Sequence, residues 1–315
     1  MTLSAPTRAQ VVAAAQDSIA RGSRSFAMAS QIFDPVTRER AWLLYAWCRA
    51  CDDLADGQTL GHAAAPIGDP AERLARIRDL TGKALAGEWT GDPAFDALKI
   101  VAAETRFPHR FAHDLIEGFA LDAKGWFPRS ENDLLRYCYH VAGSVGCMMA
   151  VVMGVDPADE ATLDRACDLG IGFQLANIAR DIEADDRMGR CYLPVDWLVE
   201  MDIPPGQHMK PPFRPRLVVI AKWLGEMAEA YGASARRGTP ALRFRSAWAV
   251  LAAAGIYGEI AREVVARGEH AWDHRAQTGN LQKIGWMARA LVQAGLRDRL
   301  YPPAPRAPEL WTRPR

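Results

Sequence analysis

Two short segments set carboxylates one helical turn apart. The first runs Leu44-Tyr-Ala-Trp-Cys-Arg-Ala-Cys-Asp-Asp-Leu-Ala-Asp56, where Tyr45, Arg49, Asp52 and Asp56 follow at intervals of 4, 3 and 4. The second runs Gly172-Phe-Gln-Leu-Ala-Asn-Ile-Ala-Arg-Asp-Ile-Glu-Ala-Asp185, where Gln174, Asn177, Asp181 and Asp185 follow at 3, 4 and 4. On a helix each set shares one face. The flanking positions are apolar, with Leu44, Trp47 and Cys51 in the first and Phe173, Leu175, Ile178 and Ile182 in the second. Carboxylates one turn apart repel, and more strongly in a dry site, so something must hold them there. Oxygen donors alone suit a hard cation such as Mg²⁺, which takes a couple of carboxylates and completes its shell with water and phosphate oxygens. A solvated face with ordinary i,i+4 charges would explain one such helix. It explains less well two of them, each with an amide or Arg one turn upstream. A di-iron bundle would need Glu-x-x-His pairs, which the chain lacks.

Absent motifs narrow the chemistry. There is no GxGxxG, no P-loop and no GxSxG elbow. Phosphate would then be held by metal and Arg rather than by a glycine loop, and no nicotinamide cofactor is expected. Cys48-x-x-Cys51 is half a zinc pattern without its other half, and the six cysteines show no framework spacing; buried thiols in a reducing compartment are the simpler reading. Thirty-eight basic residues balance thirty-eight acidic ones, which argues against a nucleic-acid partner. No window reaches the roughly 18 strongly apolar residues of a membrane span. The nearest, Tyr137 to Val155, lacks charges but holds three Gly, a Ser, two Tyr and a His. The N-terminus has no basic-then-apolar leader, so a cytoplasmic location is expected.

The elements that must position these side chains are helices. Asp34-Pro35, Asp69-Pro70, Asp92-Pro93, Asp156-Pro157 and Thr239-Pro240 each read as an N-cap followed by proline at the first helical position, and Ser130 with Asp133 reads as a further start. The apolar period predicts helices near 8–21, 36–56, 70–87, 93–106, 109–123, 130–154, 158–187, 216–237, 240–267 and 280–298. No period-2 run or Asn-Gly hairpin competes, so the fold class is all-α. No break divides 1–300, which is expected as one domain. Residues 57–69 and the proline-rich 201–215 read as loops, and 301–315, with five prolines, as an extended or disordered tail.

With their neighbours, these segments resemble the squalene/phytoene synthase family. The matching stretches are GSRSFA (22–27), LYAWCRACDDLAD (44–56), EGFALD (117–122), RYCYHVAGSVG (136–146), DRACDLGIGFQLANIARDIEADDRMGRCYLP (164–194), RSAWAV (245–250) and AWDHR (271–275), in the family's order. The resemblance implies an isoprenoid synthase-type helical bundle around a central cavity, with two Asp motifs facing each other and binding diphosphates through Mg²⁺ or Mn²⁺. It implies Asp52, Asp56, Asn177, Asp181 and Asp185 as metal ligands. Ser23, Arg24, Arg49, Gln174, Arg180 and Arg275 fall at diphosphate positions, the last where many members carry two arginines in place of His274-Arg275. Tyr45, Tyr137 and Tyr192, with Arg49, fall at the reacting centre. Phe26, Val141, Ala142, Val145, Gly146 and Met149 fall along the prenyl chain; by themselves those small and apolar residues would pass for ordinary core. The reaction implied is head-to-head condensation of two geranylgeranyl diphosphates to phytoene, a step of carotenoid biosynthesis. The alternatives are a C15 head-to-head synthase, a head-to-tail elongase, which usually repeats DDxxD in its second motif, and a non-enzymatic assembly factor, which would be expected to lose its Asp residues. A greasy substrate and product leave a peripheral membrane contact open, although no basic amphipathic helix stands out in the sequence to establish one.

Overall fold

A computed structural model describes residues 5–59, 62–63 and 69–315. Helices dominate them: α1 (Arg8–Gly22), α2 (Arg24–Ser30), α3 (Pro35–Asp56), α4 (Pro70–Leu85), α5 (Pro93–Thr105), α6 (Arg110–Ala123), α7 (Glu131–Cys138), α8 (Ser144–Val152), α9 (Glu160–Arg187), α10 (Val195–Glu200), α11 (Arg214–Arg236), α12 (Phe244–Arg267), α13 (Asn280–Gly295) and α14 (Arg297–Leu300). The β structure among the described residues is one two-residue antiparallel pairing, Gln58–Thr59 with His62–Ala63, inside the segment expected as a loop.

Local chemistry explains several of the starts. Asp34, Asp69 and Asp92 cap α3, α4 and α5 by accepting from first-turn amides, each with proline at the first helical position, and Ser130 accepts from the Asp133 N–H to open α7. Two expected starts are corrected. Asp156 accepts from the Ala158 N–H at 2.9 Å and closes a turn, so α9 begins only at Glu160. Thr239-Pro240 opens a 3₁₀ turn, Thr239–Ala241, and the Thr239 hydroxyl donates to the Arg236 carbonyl at 2.7 Å; it finishes α11 rather than starting α12. Helices α2 and α10 were not expected, being only seven and six residues long and so too short to display a period. The helix expected over 130–154 is interrupted by a π turn at Tyr139–Gly143.

The described chain forms two compact units, Met1–Lys124 with Cys147–Asp159 and Gly125–Gly146 with Glu160–Arg315. In the first, α3 is the central helix, packed on α1, α4, α5 and α6. It buries Leu43, Leu44 and Trp47, each contributing roughly 1.5–3 kcal/mol or more by leaving water. The two tryptophan N–H groups on α3 find partners inside, Trp47 donating to the Thr81 hydroxyl at 3.2 Å and Trp42 to Ser30 at 2.8 Å. In the second unit α9 is central, packed on α7, the π turn, α11 and α12. There a Cβ on Gly146 would stand 2.3 Å from the Ala166 carbonyl oxygen, and one on Gly170 would stand 2.2 Å from that of Ala142. Only glycine permits so close an approach of two backbones. Thus each carboxylate-bearing helix is the spine of its own unit. No helix among the described residues is long and apolar enough to cross a membrane.

The proline-rich tail forms no helix, but charged contacts fasten it to the second unit. Asp168 on α9 is fully buried. Its carboxylate takes a bidentate guanidinium from Arg306, with contacts of 2.6 and 2.9 Å, and a hydrogen bond from the Ser234 hydroxyl. Farther on, buried Arg313 pairs with Glu160 and Asp164, and the Trp311 N–H donates to the Tyr231 hydroxyl at 3.0 Å. Removing one partner of a buried pair strands the other charge. Arg306→Ala should therefore lower unfolding stability by about 3–5 kcal/mol. Adding Asp168→Asn should recover part of that loss; thermal melting of the single and double variants measures both.

Candidate active site

In the first unit the polar face of α3 carries Tyr45, Arg49, Asp52, Asp53 and Asp56, all half-buried. Arg49 lies 3.1 Å from Asp52 and 2.6 Å from Asp53. Asp53, absent from the predicted set, thus makes the closer contact; its i,i+4 spacing from Arg49 was the available signal. The Tyr45 hydroxyl lies over the α1–α2 junction, where a Cβ on Gly22 would be 2.5 Å from it. Desolvation pushes the Tyr45 phenol up to about 12, so it remains protonated at neutral pH. Phe26, 40% exposed, sets its ring centroid 6.1 Å from that of Tyr45. Ser23, a predicted diphosphate contact, caps α2 by accepting from the Phe26 N–H at 3.3 Å. The Arg24 side chain lies outside the described residues.

In the second unit Gln174, Asn177, Asp181 and Asp185 lie half-buried along α9, while Leu175, Ile178 and Ile182 face inward. Asp181 is held by two guanidiniums. Arg275 contacts its two oxygens at 2.8 and 2.9 Å, and Arg180 reaches the first of them at 2.8 Å. Burial alone would raise the Asp181 carboxyl, but these two cations outweigh it and hold the group below the usual carboxylate range. The placement of Arg275 follows from its neighbour: the Trp272 N–H donates to the Ala179 carbonyl at 3.0 Å, pinning the loop beside α9 two residues before Asp181. The exposed His274 side chain takes no part, but its backbone carbonyl accepts from Arg267 at 2.9 Å. Tyr257, missed in the sequence, stacks on Phe173 at 4.1 Å near these arginines, and desolvation raises its phenol.

Tyr137 and Tyr192, both buried, stack at 4.8 Å, and Trp126 extends the stack to Tyr137 at 5.6 Å. A small pocket is lined by Ile178, Ile182, Asp185, Arg190, Tyr192 and His208, among others. His208 comes from the proline-rich segment 201–215. It is 3% exposed and sets Nε2 3.3 Å from Asp186. A histidine alone in a proline-rich loop offered no periodic signal. Of the predicted chain-lining residues, Val141, Ala142, Val145 and Met149 are half-buried. Gly146 is corrected: its missing side chain would point into the α9 backbone, so its smallness serves helix packing.

Among the described residues no three His, Cys, Asp or Glu side chains stand close enough to cage an ion. Pairs of carboxylates one turn apart, with an amide oxygen beside them on α9, instead fit a hard ion that fills its shell with water and phosphate oxygens.

The squalene/phytoene synthase family model matches residues 19–282. The chain belongs to that family. It is accordingly an enzyme of the prenyltransferase type. Among squalene/phytoene synthase relatives, the 15-cis-phytoene synthase of Pantoea ananas is 45% identical over 95% of this chain and 97% of its own. That of Paracoccus sp. (strain N81106 / MBIC 01143) is 43% identical over 96% and 98%. The solved structure of a dehydrosqualene synthase in complex with ligand aligns with a TM-score of 0.81 at 25% identity, covering 91% of this chain and 98% of that one. A squalene synthase from Alicyclobacillus acidocaldarius shares the fold, with a TM-score of 0.69 at 23% identity, covering 82% and 95%.

His208 makes the pocket acid-sensitive. Burial lowers its pKa, favouring the neutral ring. As pH falls below about 6.5 the unfolded chain takes a proton that the folded protein still refuses, so native stability declines through that window. His208→Gln should flatten the decline of melting temperature between about pH 7 and 5 relative to the parent, which melting curves across that range will check.

Proposed function

We propose that this enzyme is a 15-cis-phytoene synthase. It condenses two molecules of geranylgeranyl diphosphate head to head, through prephytoene diphosphate, to phytoene and two diphosphates, in carotenoid biosynthesis. The observation that carries the reading is the charge arrangement on α9, a carboxylate between two guanidiniums with Asp185 one turn on, in a chain whose relatives at 43–45% identity bear that name.

Asp52 and Asp56 in the first unit, and Asn177, Asp181 and Asp185 in the second, would hold Mg²⁺ or Mn²⁺. Bound there together with diphosphate, such an ion would supply positive charge to the leaving group. Arg49, Arg180 and Arg275, with Ser23, Arg24 and Gln174, are assigned to the diphosphate oxygens. The Arg275 side chain is 58% exposed, so it can turn from Asp181 to a phosphate without disturbing packed structure. Tyr45, Tyr137 and Tyr192 offer phenol hydroxyls and ring faces to the allylic cation. Phe26, Val141, Ala142, Val145 and Met149 keep water away from it. The final proton leaves to the released diphosphate or to an ordered water, and no nicotinamide is needed.

A C15 head-to-head reaction is the second reading, favoured by the likeness to the dehydrosqualene synthase. Incubation with C15 and C20 diphosphates and Mg²⁺ or Mn²⁺, followed by mass analysis of the hydrocarbon, separates the two. The expected product is phytoene from C20, unchanged by NADPH; a NADPH-dependent product with two extra hydrogens would move the enzyme to the reducing branch. Asp181→Asn or Asp52→Asn should cut turnover at least ~10²-fold with helicity intact, and near-normal activity would remove the metal-site assignment. Ala142→Leu should shift preference from C20 toward C15, because a packed wall cannot absorb the added volume; competition between the two substrates reads the shift.

A further inference from the structure

Helix α13 packs one face on α12 and, among the described residues, leaves the other exposed. The packed face buries Ala290 and Ala294, and it is locked where the Trp248 N–H donates to the Met287 carbonyl at 2.8 Å and where Trp286 lies over Gly255. The outward face is apolar. Leu281 is 85% exposed, Ile284 58%, Leu291 40%, Val292 60% and Leu296 48%. At 3.6 residues per turn, positions 281, 284, 288, 291, 292 and 295 fall on one side. Gly285 and Gly295 add no bulk, and a Cβ on either would meet nothing within 4 Å, so the face is flat and open.

Its rim is basic. Residues 280–300 hold Lys283, Arg289, Arg297 and Arg299 against a single acid, Asp298, in a chain whose net charge is zero. The short α14 packs against the 3₁₀ turn Thr239–Ala241, bringing the exposed Arg243 and Arg245, which follow that turn, to the same end of the face. A second copy of the chain seated on this face by two-fold symmetry would bring the same arginines against one another. An anionic lipid surface would meet them with opposite charge while taking up the apolar side chains.

We propose that the outward face of α13 docks this protein onto an anionic lipid bilayer, lying in its surface without spanning it. The proposal deepens the functional reading, since an enzyme with a C20 prenyl substrate and a hydrocarbon product gains from standing at the phase that dissolves both. Its test does not depend on catalysis. The purified full chain is floated with vesicles of phosphatidylcholine alone and of phosphatidylcholine mixed equally with phosphatidylglycerol. Binding is expected to the mixed vesicles and to weaken with salt. Ile284→Gln with Leu291→Gln should reduce the bound fraction at least about tenfold, with melting temperature and activity on detergent-dispersed substrate unchanged. Leu281→Ser serves as an independent variant at the most exposed position. Arg289→Glu should weaken binding to the mixed vesicles only. Failure to float with either vesicle, or binding untouched by the apolar substitutions, would overturn the proposal. So would a dimer in sedimentation that these substitutions convert to monomer. Loss of phytoene formation in the product assay with vesicle binding retained would instead indict the functional reading alone.

Discussion

A carboxylate inside a helical unit must find hydrogen-bond donors, and at the two spines of this structure those donors are guanidiniums. Removing an ionised carboxylate from water costs several kcal/mol unless its oxygens find donors. On α3 Arg49 serves Asp52 and Asp53. On α9 Arg180 and Arg275 serve Asp181, while Arg306 serves the fully buried Asp168 one face away. The Asp168 and Asp181 pairings differ in kind. Asp168 is shut in with its partner and acts as a fastening. Asp181 is held by a mostly exposed arginine on a loop, so its counter-charge can be exchanged. The proposed diphosphate site would use the second kind, braced by the first.

Much of this was legible in the sequence, for identifiable reasons. Capping by Asp with proline behind it is local chemistry, and α3, α4 and α5 begin where it says. The carboxylate faces follow from one-turn spacing, which survives any tertiary arrangement. Arg275 was reachable only through resemblance, because its position beside Asp181 depends on Trp272 reaching the Ala179 carbonyl across 93 residues. His208 and Tyr257 gave no signal, since neither repeats at a helical interval and both gain their meaning from what packs above them. Helices α2 and α10 are too short for periodicity to speak. Thr239-Pro240 carried a correct cap signature that tertiary structure used to end one helix instead of starting another.

The π turn and the glycines are related cases. A stripe of small and apolar residues from 141 to 149 reads alike as cavity wall or as helix seam. The widened turn at Tyr139–Gly143 alters the phase of the helix, and Gly146 ends against the α9 backbone while Val145 and Ala142 stay half-buried. Pattern alone does not separate neighbours one residue apart when the helical repeat itself changes between them.

The fastening of the tail bears on how the chain is made. Asp168 and its guanidinium partner Arg306 lie 138 positions apart. During synthesis α9 emerges long before that arginine, with a buried acid and no cation to meet it. The second unit therefore cannot complete this fastening until Arg306 has been made, whereas α1 to α6 can collapse while later segments are still being added. Until then, the spine bearing Asp181 and Asp185 carries an acid whose fastening partner has yet to be made.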